Sequence, residues 1–173
     1  MGRTDIRMER QTLILRRRFA APPAAVYAAW TDSALFARWW GPESVVNEVS
    51  ALDARVGGAW RVTMRMANDG AFTLSGEYLE AVPSERLVFT MDTAEHPAEW
   101  HAQLDSFRDT PSGARGGNVT GTVTLRPVET GTEMTLAQYF ELPSDRDAYY
   151  RMGAPTGWGQ SFDKLERLLT PTA

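Results

Sequence analysis

The stretch TLILRRRFAAPPAAVYAAWTDSALFARWWGP, Thr12 to Pro42, changes its period once and then interrupts its helix once, and those two breaks decide the fold. In its first eight residues Leu13, Leu15, Arg17 and Phe19 alternate with Ile14, Arg16 and Arg18, the two-residue period of a strand. The run from Ala21 to Trp30 then starts a helix: proline is tolerated in a first turn, and Val26 and Trp30 lie one turn apart. Thr31-Asp32 interrupts it, with Asp32 placed to cap a second short helix. There Leu35 and Trp39, and likewise Phe36 and Trp40, are spaced i, i+4 and form one broad apolar face, with Ala37 and Arg38 turned away. Gly41-Pro42 stops the helix, so the paired tryptophans are the end of an apolar stripe.

Downstream the reading becomes strand after strand. Between Val45 and Met66 the pair Gly57-Gly58 marks a tight turn. Beyond it Trp60, Val62, Met64 and Met66 share one face, opposite Arg61, Thr63 and Arg65. AFTLSGEYLEAV (Ala71–Val82) and RLVFTMD (Arg86–Asp92) are two strands joined through Pro83-Ser84-Glu85. NVTGTVTLRPV (Asn118–Val128) and TEMTLAQYFEL (Thr132–Leu142) are another pair, with Met134, Leu136, Gln138 and Phe140 on one face of the second. Ser144 to Leu169 reads as a long helix. Ser144 with Asp147 is its capping signature, and Trp158, Phe162, Leu165 and Leu169 are its core stripe. GAPTG (Gly153–Gly157) places a kink or a split near Pro155. Residues 1–10 are polar and read as a loose N-terminal segment, ahead of one domain over 11–170. The order is strand, two short helices, about six strands and a long helix, an α+β architecture of antiparallel hairpins with a helix on one face.

Composition narrows the function. The chain has 173 residues, enough for one domain with a real core. A net charge of −4 argues against a nucleic-acid surface, which needs a basic excess. Cysteine is absent, so disulfides, thiolate catalysis and zinc–cysteine clusters are excluded. No apolar run reaches membrane-span length and the N-terminus has no signal-peptide core, so no membrane is expected and a cytoplasmic location is the default.

Few residues offer chemistry. GQSFD (Gly159–Asp163) resembles a nucleophile elbow, but Asp163 replaces the final glycine and the run lies inside a helix. The two histidines, His96 and His101, are five apart, a poor spacing for one helix face, and no metal site is expected. Arg17 shares the parity of Leu15 and Phe19. It either points inward, and needs an acidic or ligand partner there, or is flipped outward by a bulge.

Four blocks together carry a family resemblance: RRFAAPPAAVYAAWTDSALFARWWGP, DARVGGAWRVTM, GEYLEAVPSERLVFT and GWGQSFDKLERLL. In this order, over about residues 12–169, they resemble the activator of heat-shock-protein-90 ATPase homologue-like family of the START-like (SRPBCC, birch-pollen-allergen-like) superfamily. The resemblance implies a helix-grip fold, a curved antiparallel sheet wrapped around the C-terminal helix with a cavity between them. It places the short helix ending in Trp39-Trp40 at one end of the grip, with Trp39 expected in the core and Trp40 nearer the cavity mouth. The co-chaperone that names the family carries a separate N-terminal chaperone-binding domain, and the resemblance here begins at the first strand.

On this reading the cavity-lining candidates are the inward aromatic and methionine residues Trp40, Trp60, Met64, Phe89, Met91, Phe140, Trp158 and Phe162, with Gln138 as a polar anchor. Any one of them could equally be plain core. The segment 94–116, long for a hairpin connection, adds Trp100 and His101 as a lid, a surface flap or a dimer contact. Arg17 completes the set. The expected function is non-catalytic binding of a small hydrophobic molecule, without cofactor, by a monomer or homodimer. The alternatives are a module that activates a chaperone ATPase, with the chaperone as partner, and a cyclase- or hydrolase-like enzyme using Arg17, His101 or Gln138.

Overall fold

The alternation along Thr12–Phe19 buries every second side chain, and this strand, β2, anchors the sheet. The computed structural model describes residues 2–68, 70–108 and 119–170. The elements are β1 (Asp5–Glu9), β2 (Thr12–Phe19), α1 (Pro23–Thr31), α2 (Ser33–Trp39), β3 (Val45–Leu52), β4 (Ala59–Met66) and β5 (Ala71–Val82). They continue with β6 (Arg86–Met91), α3 (Ala98–Ser106), β7 (Val119–Val128), β8 (Gly131–Tyr139), α4 (Pro143–Arg151) and α5 (Ala154–Leu169). One antiparallel sheet runs in the order β1-β2-β8-β7-β6-β5-β4-β3. β2 lies against β8 with Leu15 opposite Leu136 and Arg17 opposite Met134, so the inward parities of the two strands coincide. A register shift between Tyr78 and Glu80 puts a bulge in β5, a device that bends a strand and increases its twist.

Two expectations change, and the split in the last helix is met. The N-terminal segment is not loose: residues 5–9 form β1, paired with β2 from Asp5–Arg16 to Glu9–Thr12. Its polar side chains are mostly exposed because only one face of an edge strand meets the core. The C-terminal helix is split in two, as the glycines and Pro155 suggested, with Gly153 left-handed at φ 95° between α4 and α5. The helix start at Ser144 is not side-chain capped: Pro143 opens α4 and Leu142 stands at the cap position.

Around Trp39-Trp40 the sequence reading holds. Asp32 caps α2 by accepting from the Leu35 N–H at 2.9 Å. Trp40 leaves the helix in extended conformation, and Gly41 follows at φ 74°. A Cβ on Gly41 would sit 2.8 Å from Met64 Sδ, so glycine is required there twice over. The turn is stitched to α5. Lys164 Nζ donates to the carbonyls of Trp40, Gly41 and Pro42 at 3.1, 3.2 and 3.2 Å, supplying donors that the helix end lacks. The core between sheet and helices joins Leu13, Leu15, Val26, Trp30, Phe36, Trp39, Leu136 and Phe162 in one cluster. Among the described residues no helix is long and apolar enough to cross a membrane.

Candidate functional site

The sheet does not close fully on α5, and the gap is a cavity of about 310 Å³. Its floor is a row of inward side chains from successive strands: Met64 of β4, Leu74 of β5, Met91 of β6, Val119 of β7 and Gln138 of β8. Its roof is the face of α5 that carries Ala154, Gly157, Trp158 and Ser161, residues three or four apart. The Trp40-Gly41-Pro42 turn forms one end. The other end is formed by Thr93, His96, Trp100, Tyr149, Met152 and Gly153.

Trp40 and Trp158 meet edge to face with ring centroids 5.2 Å apart, and Phe36 stacks on Trp40 at 4.7 Å from the core side. At the opposite end Trp100 packs between His96 and Tyr149, at 4.6 and 5.7 Å. Small residues in the roof leave the space: a Cβ placed on Gly157 meets nothing within 4 Å.

The polar groups here are few, and each already makes at least one contact. Trp158 Nε1 donates to Gln138 Oε1 at 3.0 Å, and Gln138 Nε2 reaches Met91 Sδ at 3.4 Å. The hydroxyls of Thr93 and Tyr149 lie 3.2 Å apart, and burial pushes the Tyr149 phenol above its usual range. His96 Nδ1 is 2.9 Å from the Thr73 carbonyl, and burial lowers the imidazole from 6.5 to about 4. Ser161 returns its hydroxyl to the Gly157 carbonyl at 3.0 Å, an ordinary back-bond within a helix. No Asp, Glu, Lys or Arg lines the space among the described residues. The lining is therefore mostly apolar surface, with few groups that make directional contacts.

Of the twelve residues expected at a cavity, Trp40, Met64, Met91, Trp100, Gln138 and Trp158 line it. The other six do not. Trp60 and Phe89 surround a separate void of about 10 Å³ beside Trp30 and Phe36, and Trp40 borders both spaces. Phe140 and Phe162 are fully buried behind the wall, Phe140 against Tyr149 at 5.0 Å and Phe162 against Trp158 at 5.6 Å. His101 follows Trp100 on α3 and is not among the residues that line the cavity.

Arg17 points inward without a bulge, but its partners are the acids of α5: Nη1 donates to Asp163 at 2.6 Å, and Nη2 pairs with Glu166. It is 2% exposed and structural in its contacts. In the long segment, α3 brings Trp100 to the wall. Arg108, just past α3, pairs with Asp145 of α4 at 2.8 Å. Residues 109–116 of that segment lie outside the described residues.

Sequence reasoning missed His96, Tyr149, Thr93 and the glycines of α5 as lining residues. The run Gly153–Gly157 was read for the split, which it does mark, but not for the room that Gly153 and Gly157 leave beside the cavity.

The chain matches the family model described as Activator of Hsp90 ATPase homolog 1-like protein over residues 20–170. A solved protein from Chromobacterium violaceum is 31% identical to it with TM-score 0.73, over 94% of this chain and 99% of that one. A Silicibacter pomeroyi protein bearing the family's name is 25% identical with TM-score 0.67, over 90% and 95% of the two chains. A Rhodobacter sphaeroides protein, 23% identical over 96% and 97%, shares the fold with TM-score 0.79. No curated protein matches the chain. The antiparallel sheet gripping a C-terminal helix, the cavity between them and the match over residues 20–170 lead to one conclusion: the chain belongs to the Activator of Hsp90 ATPase homolog 1-like family and has its START-like helix-grip fold.

Proposed function

We propose that the chain binds a small, largely apolar molecule in the cavity between sheet and α5, without transforming it. The observation that carries this reading is the cavity itself, about 310 Å³ and walled by three tryptophans and three methionines. Well-packed interiors leave few voids larger than a water, so an apolar space of this size is a feature to be explained. Gln138, held by Trp158, gives the wall one oriented polar anchor.

Gly157 provides the test. A leucine there would project from the lining face of α5 into open space, and it would also improve a helix interior by about 0.8–1 kcal/mol. Native mass spectrometry of freshly purified protein, followed by analysis of what unfolding releases, identifies a resident ligand. Calorimetric titration with 4-methoxybiphenyl supplies a defined probe. The expected result is binding by the parent chain and its loss in Gly157→Leu, with a melting temperature that is unchanged or higher. Undiminished binding in Gly157→Leu would remove the cavity as the site. An apo mass together with no titration would favour the protein-interaction reading that the family's name carries.

A further inference from the structure

The polar groups of the cavity have roles fixed by what they already bond. The Thr73 carbonyl can only accept, so His96 Nδ1, 2.9 Å away, carries the proton. Near neutrality the buried ring is uncharged, and its Nε2 therefore presents a lone pair. The ring is fixed edge-on to Phe72 and Trp100, at 5.3 and 4.6 Å, and Nε2 meets no hydrogen-bonding partner among the described residues. The Trp158 indole of the roof can only donate, so it is the oxygen of Gln138 on the sheet floor that faces it. The Gln138 amide NH₂ is left with nothing firmer than Met91 Sδ at 3.4 Å.

The space thus offers one unused nitrogen acceptor, the weakly used Gln138 amide and, because the Thr93 and Tyr149 hydroxyls share one hydrogen bond, one further O–H, inside apolar walls that carry no charge. A hydroxyl complements such a set, since it donates and accepts. A carboxylate does not: it would be buried without a countercharge, and it has no proton for Nε2. An ether keeps the oxygen but loses the donated bond. Resting on the binding reading above, we propose that the ligand is a neutral alcohol or phenol whose hydroxyl donates to Nε2 of His96.

Three biphenyls that differ only in one substituent test this by calorimetric titration: 4-phenylphenol, 4-methoxybiphenyl and biphenyl-4-carboxylate. The phenol should bind about five- to tenfold more tightly than the ether, as one added neutral hydrogen bond implies, and the carboxylate should show no binding. In His96→Phe the advantage of the phenol over the ether should disappear. The chain has only two histidines, so a long-range proton–nitrogen spectrum of the imidazoles gives a second reading that does not depend on a variant folding. The His96 Nε2 resonance should move with the phenol and stay with the ether, while His101 stays with both. Equal affinity for phenol and ether, or a carboxylate that binds as well as the phenol, overturns the hydroxyl assignment and leaves an apolar binder. Failure of all three to bind takes down the binding reading, and this inference with it.

Discussion

Trp158 of α5 donates its indole N–H to Oε1 of Gln138 on β8 at 3.0 Å, a hydrogen bond that joins helix to sheet at the wall of the cavity. Gln138 is 4% exposed, and its amide oxygen has no bulk water to turn to if the indole is removed. Gln138→Leu should cost about 1–3 kcal/mol, the penalty of an orphaned, part-buried donor, and Trp158→Phe a similar amount plus lost packing. The double variant should cost less than the two together, because no polar group then remains unpaired. Urea denaturation of the four proteins measures the coupling; simple additivity would show that the bond carries no net stability.

The buried guanidinium of Arg17 makes a second helix-to-sheet link. It bonds Asp163 at 2.6 Å and pairs with Glu166, whose carboxylate also accepts from the Gly2 N–H at 3.0 Å. β2, α5 and the N-terminal segment meet at this one charge cluster. Arg17→Ala should cost about 3 kcal/mol, the low end for breaking a buried pair, because both acids keep some access to water. Arg17→Met, which fills the volume and leaves the acids to be solvated, should cost about half as much. Ligand affinity should not move in either variant, since Arg17 is not at the cavity. A selective loss of binding in Arg17→Met would restore it to the site.

Acid should unfold the protein in two separable windows. Burial lowers His96 from 6.5 to about 4, so the unfolded chain takes up a proton at a higher pH than the folded one does. Stability from this group is complete above pH 6.5 and is lost as pH falls toward 4, by at most about 3 kcal/mol. Glu166 acts lower. Burial resists its ionisation, but the bonds from Arg17 and Gly2 prevail and hold the carboxyl below 4.5. Its contribution is present above that value and is lost as pH falls further. Chemical denaturation at a series of pH values should show the upper window disappear in His96→Phe and the lower one persist. An unchanged slope between pH 6.5 and 4 in that variant would contradict the assignment.

Apart from α3, which lies in a segment read only as a long connection, the order of elements from Thr12 to Leu169 was legible because the periods are clean: two-residue alternation in β2, β4 and β8, and i, i+4 pairing in α2 and α5. β1 was not legible. An edge strand buries little, and Asp5–Glu9 is polar enough to pass for a tail; only its register with β2 makes it a strand. The cavity was half legible. Inward parity finds every side chain that faces the helix, but it cannot separate those that touch a void from those that touch each other. Met64 and Trp60 share a face of β4, yet Met64 borders the large space and Trp60 sits under the Trp40 ring. His96 was hidden for another reason. It lies between strand and helix, where no period applies, and its role comes from a carbonyl on Thr73, 23 residues away.

The tryptophan pair divides by neighbour rather than by burial. Trp39 is wholly buried, and its indole donates to the Ala29 carbonyl at 2.8 Å. Trp40 is only 2% exposed, so the sequence's picture of one core ring and one ring at a mouth is too simple. The difference is that Trp40 has the cavity on one side, and Trp39 has protein on all sides. Both alanine variants should lose about 3–5 kcal/mol, and stability alone will not tell them apart. The separation should appear in binding. Trp40→Ala adds its vacated volume to the cavity and should change the affinity for 4-methoxybiphenyl severalfold. Trp39→Ala should leave it within about twofold of the parent, consistent with a site that keeps its walls. Where alanine unfolds the chain, phenylalanine at each position keeps the ring and makes the same comparison. Equal effects on binding from both positions would mean that the cavity wall is not where the affinity resides.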